Sequence, residues 1–261
     1  MKYGFIGCGN MGGALARALA KTTTDFALTD RSGKARALAG ELKCEYWDAQ
    51  TIAARCDRIF LGVKPHMMAG VLAEISPILQ EKKPTLISMA AGLEMEKIAS
   101  FAGGNLPVIR IMPNTPVAVG KGIILYCAND LVQAPVLEDF LSDMAHAGRL
   151  DVLEEKLMDA GSALSGCGPA YVYMFIEAMA DGAVACGIPR AKAMAYAAAT
   201  MAGAAEMVLS TGSHPGALKD AVCSPGGSTI AGVKALEQHG FRGAVMDCVC
   251  AAYEKNQKLG K

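Results

Sequence analysis

Apolar positions along the chain follow two rhythms, and the change between them falls near Asp151. Up to that point β-rich runs lie at Lys2–Ile6, Phe26–Thr29, Arg58–Val63, Thr85–Ser88, Val108–Met112 and Gly122–Tyr126. They alternate with helical patterns at Asn10–Ala20, Gly33–Leu42, Ala49–Ala54, Met67–Leu79 and Leu93–Phe101. Strand, helix, strand at such short spacing predicts a parallel sheet with helices on both faces. Past Asp151 the β-branched runs stop, and alanine, methionine and leucine dominate. Helices are predicted at Glu154–Leu164, Pro169–Cys186, Arg190–Ser210, Pro215–Cys223, Ser228–Glu237 and Phe241–Lys258. Pro169 and Pro215 stand near helix starts, where a missing N–H sacrifices no bond, and Gly187 and Gly212 stand where helices should stop. The predicted class is α/β, with a sheet domain over residues 1–151 and an all-α domain over 152–261.

One predicted helix changes the picture of the second domain. Ala193–Ala205 is apolar almost all round, which a surface helix of a small monomer would not be. Its small side chains allow close helix approach, so burial against a second copy is expected and the all-α domain is read as a dimerisation domain. Tyr171, Tyr173 and Phe175 are expected to pack that dimer core. The same apolar stretch is well short of the roughly 20 residues that span a bilayer.

Charge and cysteine usage then narrow the partners. Lysine plus arginine (25) balance aspartate plus glutamate (25), so no basic field invites nucleic acid or an anionic membrane. The nine cysteines are odd in number and contain no CxxC pair, and the four histidines are scattered, so neither a disulfide framework nor a zinc cage is expected. Free thiols in a reducing cytoplasm are the plain reading. No secretory leader pattern opens the chain, which enters a strand at once.

Candidate chemistry begins at the first turn. Gly7, Gly9 and Gly12 form GxGxxG directly after an apolar strand and directly before an alanine-rich helix. In that context the first glycine allows the tight turn, the second lets the backbone approach a pyrophosphate, and the third brings helix and strand together. The loop Gly7-Cys8-Gly9-Asn10-Met11-Gly12 is therefore expected to bind a dinucleotide, in a Rossmann-type domain. The end of the second strand carries mixed signals. Asp30 sits where an acid would hold a ribose 2′-hydroxyl, whereas Arg31, Ser32 and Lys34 would welcome a 2′-phosphate. NADPH is the expected cofactor, with NADH usable. Val63-Lys64-Pro65 closes a later strand at the same sheet edge, and Ala90-Ala91 follows the next, small enough for a nicotinamide ribose to approach. Asn114 is read either as a donor to the carboxamide or substrate, or as a turn former. His66 and His214 stand at loop edges, where solvated or capping roles are expected.

A second constellation lies at His214–Glu237, HPGALKDAVCSPGGSTIAGVKALE. It reads as a short helix, a Ser-Pro-Gly-Gly-Ser-Thr turn and the start of another helix. Such a turn points backbone N–H groups and two hydroxyls into one small space, where a carboxylate can be held. Together with the dinucleotide loop it suggests a reductase for a small anionic substrate.

The blocks FIGCGNMGGAL, LGVKP, RIMPNTP, LSGCGPAY and SPGGSTIAGVKALE, in that order, resemble the pyrroline-5-carboxylate reductase family over essentially the whole chain. The resemblance implies reduction of the cyclic imine 1-pyrroline-5-carboxylate to L-proline with NADPH or NADH, the last step of proline biosynthesis. It also implies homodimers that commonly assemble into decamers. By the matching motif, Ser224, Gly226, Gly227, Ser228 and Thr229 would hold the substrate carboxylate and ring nitrogen. For that reaction the N–H groups of Gly227 through Thr229 would clamp the carboxylate. Thr229 is the candidate catalytic hydroxyl at the nitrogen, and no metal is required. Two departures stand out: Cys167 replaces the usual second serine of its block, and Asp30-Arg31 is not the plainest NADPH pattern. Two other readings remain open, a β-hydroxyacid dehydrogenase or imine reductase relative and a non-catalytic NADPH sensor. The first would place a lysine or acid where this chain has Ser165, Gly166 and Cys167.

Overall fold

A computed structural model of the chain describes residues 1–258. The apolar runs form β1 (Tyr3–Ile6), β2 (Phe26–Thr29), β4 (Arg58–Leu61), β5 (Thr85–Ser88), β6 (Val108–Pro113) and β7 (Gly122–Ala128), with β3 (Glu45–Tyr46) and β8 (Gly148–Val152) at the two edges. Between them run α1 (Asn10–Leu19), α2 (Lys34–Leu42), α3 (Ala49–Arg55), α4 (Pro65–Lys82), α5 (Met95–Phe101) and α6 (Ala134–Asp143). The eight-stranded sheet has the order β3-β2-β1-β4-β5-β6-β7-β8. Its first six strands are parallel, and the order reverses between β1 and β4. That reversal opens a crevice at the strands' carboxyl ends, the place where dinucleotides bind in such sheets.

Strands β1, β2, β4 and β5 are buried along their whole length, which is why they read as nearly continuous apolar runs, with Thr29, Arg58, Thr85 and Ser88 the buried polar exceptions at their ends. Successive side chains serve opposite faces. Ile6, Ile59 and Leu61 join Ile52, Leu72, Ile75 and Leu79 from α3 and α4, while Phe5, Phe60 and Leu28 join Leu15, Leu19 and Phe140 from α1 and α6. On the second face Phe5 stacks on Phe60, with centroids 4.3 Å apart and planes 5° from parallel. These contacts fix β1 against β4 and so fix the loop that leaves β1.

The structure departs from the sequence reading at several points. β7 runs antiparallel to β6, because the connection at 114–121 is shorter than the dozen or so residues a parallel crossover needs. β8 then pairs parallel with β7. The helix expected at Met67–Leu79 begins at Pro65, which suits a first-turn position, and continues through Pro77 to a left-handed Lys83. The helix expected at Glu154–Leu164 is instead a 3₁₀ turn at Glu155–Leu157, α7 (Met158–Gly161) and a π turn at Ser162–Gly166.

Packing divides the chain into one unit of Met1–Cys167 together with residues from Ala252 onward, and another of Gly168–Ala251. The expected boundary after Asp151 falls earlier than this division. Leu153 and Met158 still pack into the sheet's core, and the buried Asn256 amide donates to the Asp159 carbonyl oxygen at 3.0 Å.

The second unit comprises α8 (Gly168–Ala185), α9 (Arg190–Thr211), α10 (Pro215–Val222), α11 (Ser228–Gln238) and most of α12 (Phe241–Asn256). Its fully enclosed apolar residues are Ala180, Ala193 and Ala197, packed against Ile176, Ala183, Val184 and Ile188. Most of its large apolar side chains face outward: Met174 is 70% exposed, Leu209 68% and Val222 66%. Tyr171, Met174, Phe175, Met201, Phe241 and Val245 line an apolar groove of about 520 Å³. No helix of the described residues is long and apolar enough to cross a membrane.

Candidate active site

The loop between β1 and α1 is shaped by what glycine alone permits. Gly7 holds φ at +103°, and a β-carbon there would come within 2.6 Å of the Gly62 carbonyl carbon. Any side chain at Gly12 would run into the Gly7 carbonyl oxygen, and the same is true of Gly62, the glycine of LGVKP. Gly62 was not singled out from sequence, although its place directly after an apolar strand was the available signal. Gly9 is different. No atom lies within 4 Å of the position its β-carbon would take, so the loop keeps that space empty on the cleft side.

Gly9 is also the N-cap of α1, which has no side-chain cap and no acid in its first turn. The first helical bond runs from Gly13 N–H to the Gly9 carbonyl oxygen at 2.8 Å, so the N–H groups before it are open to an anion. Beside them lies a cleft of about 510 Å³. It is lined by Gly7, Cys8, Gly9, Asp30, Arg31, Ser32, Val63 and Lys64 among the residues expected from sequence, with His66, Met67 and Glu74 as additions. Asn10 edges a neighbouring hollow of about 300 Å³, with Arg17 and Lys34.

Within the cleft, the Ser32 hydroxyl donates to Asp30 Oδ2 at 2.8 Å, and Asp30 Oδ1 is buried without any hydrogen-bond partner. Cys8 is buried, and burial followed by the nearby Asp30 carboxylate pushes its thiol up to about 12. It therefore stays protonated at neutral pH and contributes packing rather than nucleophilic chemistry. An empty cradle at Gly9, open helix amides and an unpartnered acceptor at Asp30 suit the pyrophosphate and ribose of a dinucleotide.

Other predicted residues support the cleft without lining it. Met11 packs against the core, Pro65 opens α4, and Ala90 is buried with its N–H donating to Ser88 Oγ at 3.3 Å. Ala91 is partly buried against the sheet's core. Asn114 is a clasp: its carbonyl oxygen accepts from Ile123 N–H, and its amide donates to the Ser165 carbonyl oxygen, both at 3.0 Å. One amide hydrogen remains for any ligand. His214 caps α10, its Nδ1 accepting from Gly216 N–H at 3.0 Å.

The second constellation forms between α10 and α11. Pro225 and a left-handed Gly226 (φ +69°) stand at the corners of a turn closed by Gly227 N–H to the Ser224 carbonyl oxygen at 3.0 Å. This is the residue pair a type II turn requires. The closure corrects one expectation, because the Gly227 N–H is consumed by the turn and cannot clamp a carboxylate. The first helical bond of α11 runs from Ala231 N–H to the Gly227 carbonyl oxygen. Among the described residues no acceptor takes the N–H of Ser228, Thr229 or Ile230, and α11 has no side-chain cap. Ile230 thus supplies an open amide that sequence reasoning missed. Ser224 and Thr229 hydroxyls stand exposed at the same turn.

A dinucleotide cleft at a sheet's switch point, followed by helices with an anion-receptive turn, defines the class of two-part nicotinamide-dependent oxidoreductases. A family described as pyrroline-5-carboxylate reductase dimerisation matches residues 155–259, and one described as NADP oxidoreductase, coenzyme F420-dependent, matches residues 2–92. Pyrroline-5-carboxylate reductase of Escherichia coli (strain K12) is 42% identical over 266 aligned residues, covering 100% of this chain and 98% of that protein. The crystal structure of Plasmodium falciparum pyrroline carboxylate reductase with NADP bound superposes with a TM-score of 0.90 at 34% identity, covering 100% and 98% of the two chains. The Coxiella burnetii enzyme gives 0.91 at 31%, covering 100% and 98%. The chain belongs to the pyrroline-5-carboxylate reductase family. The dimerisation match makes self-association part of its architecture, in keeping with the outward apolar side chains of the helical unit.

Proposed function

We propose that the protein reduces 1-pyrroline-5-carboxylate to L-proline with NADPH or NADH, the last step of proline biosynthesis. The observation that carries this reading is the uncapped start of α11 behind a Ser-Pro-Gly-Gly-Ser-Thr turn, in a chain with full-length similarity to reductases of that name. When bound, the reduced nicotinamide supplies the hydride that the imine carbon accepts. The chain's own residues do the rest. The N–H groups of Ser228, Thr229 and Ile230 hold the carboxylate, favoured by the helix dipole. The Thr229 hydroxyl hydrogen-bonds the ring nitrogen and relays a solvent proton to it, accepting one from water as it donates its own, so that the threonine ends neutral as the C=N bond becomes C–N. Ser224, Gly226 and Gly227 shape the turn that sets these groups. On the cofactor side, Gly7 to Gly12, Asp30 to Ser32 and Val63 to Pro65 form the binding loops, with Ala90, Ala91 and Asn114 supporting the nicotinamide end.

Assembly of dimers into a decamer and residence in a reducing cytoplasm belong to the same proposal. All nine cysteines being free supports the second. The test is steady-state oxidation of NADPH and NADH with pyrroline-5-carboxylate for wild type, Thr229→Ser and Thr229→Ala. Thr229→Ala is expected to lose about 10²–10⁴-fold in kcat, with cofactor affinity intact and activity largely kept by serine. An unchanged rate in the alanine variant would remove Thr229 from the chemistry, and no turnover by wild type would end the assignment.

A further inference from the structure

Pro169 is the second residue of α8, and a proline near a helix start ordinarily leaves no carbonyl without its donor. Here α8 is not a fresh start. Gly161, Ser162 and Cys167 all hold right-handed helical dihedrals, so the backbone winds on from α7 through the π turn at Ser162–Gly166 to Gly168. Four residues before Pro169 stands Ser165, whose carbonyl oxygen would accept from the N–H of residue 169 in an unbroken α-helix. Proline has no N–H to give. The donor comes instead from the Asn114 amide, which reaches the Ser165 carbonyl oxygen at 3.0 Å. The Ser165 hydroxyl is engaged as well, donating to the Gly161 carbonyl oxygen at 2.9 Å.

Asn114 itself has a fixed seat. It follows Pro113, the last residue of β6, at the same edge of the sheet as Ala90 and Ala91 beyond β5. It is buried, and its carbonyl oxygen accepts from Ile123 N–H at 3.0 Å. A flipped amide would set donor against donor at Ile123 and acceptor against acceptor at Ser165, so only one orientation is allowed. Asn114 is extended, and side chains alternate along an extended strand, so Arg110 lies on the same face. The buried Arg110 guanidinium pairs with Glu155 at 3.3 Å and with Asp159 at 3.2 Å. The end of α12 joins the same stretch through the Asn256 amide and the Asp159 carbonyl oxygen. The chain leaves the sheet unit after Cys167 and returns to it at Ala252. Both passages therefore lead to one segment, 155–165, that side chains of β6 and its end hold in place.

We infer that Asn114 is a positioning residue of the reductase. By standing in for the N–H that Pro169 lacks, its amide ties the segment leading into the helical unit to the coenzyme edge of the sheet, and so governs the alignment of the imine with the nicotinamide. The inference rests on the proposed reduction and adds to it a residue that acts through Ser165 rather than on either reactant. Hydride transfer is the step that such a tie serves, because its rate falls steeply with misplacement of donor and acceptor.

The test is steady-state kinetics of Asn114→Ala, Asn114→Asp, Pro169→Ala and the Asn114→Ala, Pro169→Ala double variant, with coenzyme Kd by nicotinamide fluorescence and urea unfolding on the same samples. Asn114→Asp keeps the bond from Ile123 and loses only the donation, which covers the case of an alanine variant that does not fold. Both single changes at 114 should lower kcat by about 10- to 100-fold, with KM for pyrroline-5-carboxylate and coenzyme Kd within about threefold of wild type. Pro169→Ala alone should stay close to wild type. In the double variant residue 169 again offers Ser165 an N–H, but nothing ties the segment to the sheet. The urea midpoint lost in Asn114→Ala should return there, and kcat should not. Return of kcat with the midpoint would show that the amide merely satisfies a carbonyl, and would overturn the inference. A midpoint that stays low would overturn the account of Pro169. Wild-type kcat in Asn114→Asp would also overturn the inference, as would a large loss of coenzyme affinity in either variant, which would make Asn114 a coenzyme ligand. Wild type without turnover of pyrroline-5-carboxylate would instead strike at the reductase reading itself.

Discussion

Two alanine substitutions, at Gly7 and at Gly9 two residues further on, test how the β1–α1 loop works. At Gly7 the backbone is left-handed (φ +103°), and a new β-carbon would sit 2.6 Å from the Gly62 carbonyl carbon and 2.9 Å from Val63 N. Carbon contacts settle near 3.5 Å, so the ends of β1 and β4 would have to separate by about 0.9 Å. That separation strains the bond from Gly62 N–H to the Ile6 carbonyl oxygen, now 2.9 Å. Adding about 1–3 kcal/mol for the backbone conformation to about 1 kcal/mol for the weakened bond gives a loss of about 3 kcal/mol for Gly7→Ala. At Gly9 neither term exists, since φ is −67° and nothing lies within 4 Å of the new methyl group. Alanine is a poorer N-cap than glycine but also lowers the entropy of the unfolded chain, and these opposed terms leave a net change within about 1 kcal/mol.

The methyl group at position 9 does, however, occupy the cradle over the open amides of α1. Gly9→Ala should therefore keep the urea midpoint of wild type while NADPH and NADH affinity fall by about 100-fold or more, a methyl against a pyrophosphate being an overpacked contact of about 3 kcal/mol. Gly7→Ala should lose both stability and binding. Urea unfolding followed by tryptophan fluorescence and coenzyme titration separates the two. Wild-type coenzyme affinity in Gly9→Ala would refute the placement of the pyrophosphate, whatever the stability result.

Two further outcomes follow from packing and titration. Burial pushes Cys8 and Cys56 up to about 12 from an ordinary 9, so their thiols stay protonated in the folded chain where the unfolded chain would ionise. The stability they contribute is complete below pH 9 and declines as pH rises toward 12, by about 1 kcal/mol for each thiol by pH 10; a Cys8→Ala, Cys56→Ala variant with the same alkaline slope in urea unfolding would contradict this. Met174→Glu puts a charge on the outward apolar groove and should shift sedimentation toward monomer at micromolar protein; undiminished association would show that this groove is not the face the copies share.

Much of the sheet was legible because its strands carry their information locally. A strand buried on both faces is apolar along most of its length, and Ile59, Phe60 and Leu61 in β4 or Phe26, Ala27 and Leu28 in β2 can be read from that alone. The edges were not legible. β3 has two residues, Glu45 and Tyr46, and β8 reads GRLDV with its charges outward, so neither presents an apolar run. The direction of β7 depends on the length of its connection rather than on its own pattern. The same division holds in the site. The glycines of the coenzyme loop declare themselves because their roles are steric and close in sequence. Asn114 stands out in the sequence, but its clasp does not, because the groups it holds lie 9 and 51 residues away. The SPGGST turn could be placed before α11 from sequence, but which amides it leaves open depends on the closure by Gly227.

The helical unit raises a question that its own composition answers. Alanine buries little area, and an interior of Ala180, Ala193 and Ala197 supplies only a small part of the hydrophobic stabilisation that ordered helices require. The area that would supply the rest is present, but on the outside, in Met174, Tyr196, Leu209, Val222 and Met246. Outward apolar surface of this extent is uncommon on a soluble monomer and marks a face that another surface covers. A second copy offers the same surface by symmetry, so folding of these helices and association of two chains draw on one and the same burial. The turn at 224–229 lies within these helices, whereas the coenzyme loop lies within the sheet unit, whose core is complete in a single chain. On the proposed reading of 224–229 as the substrate turn, substrate binding should weaken as dilution separates the copies, whereas coenzyme binding to the sheet unit should not change; equal dilution dependence of the two would count against that reading.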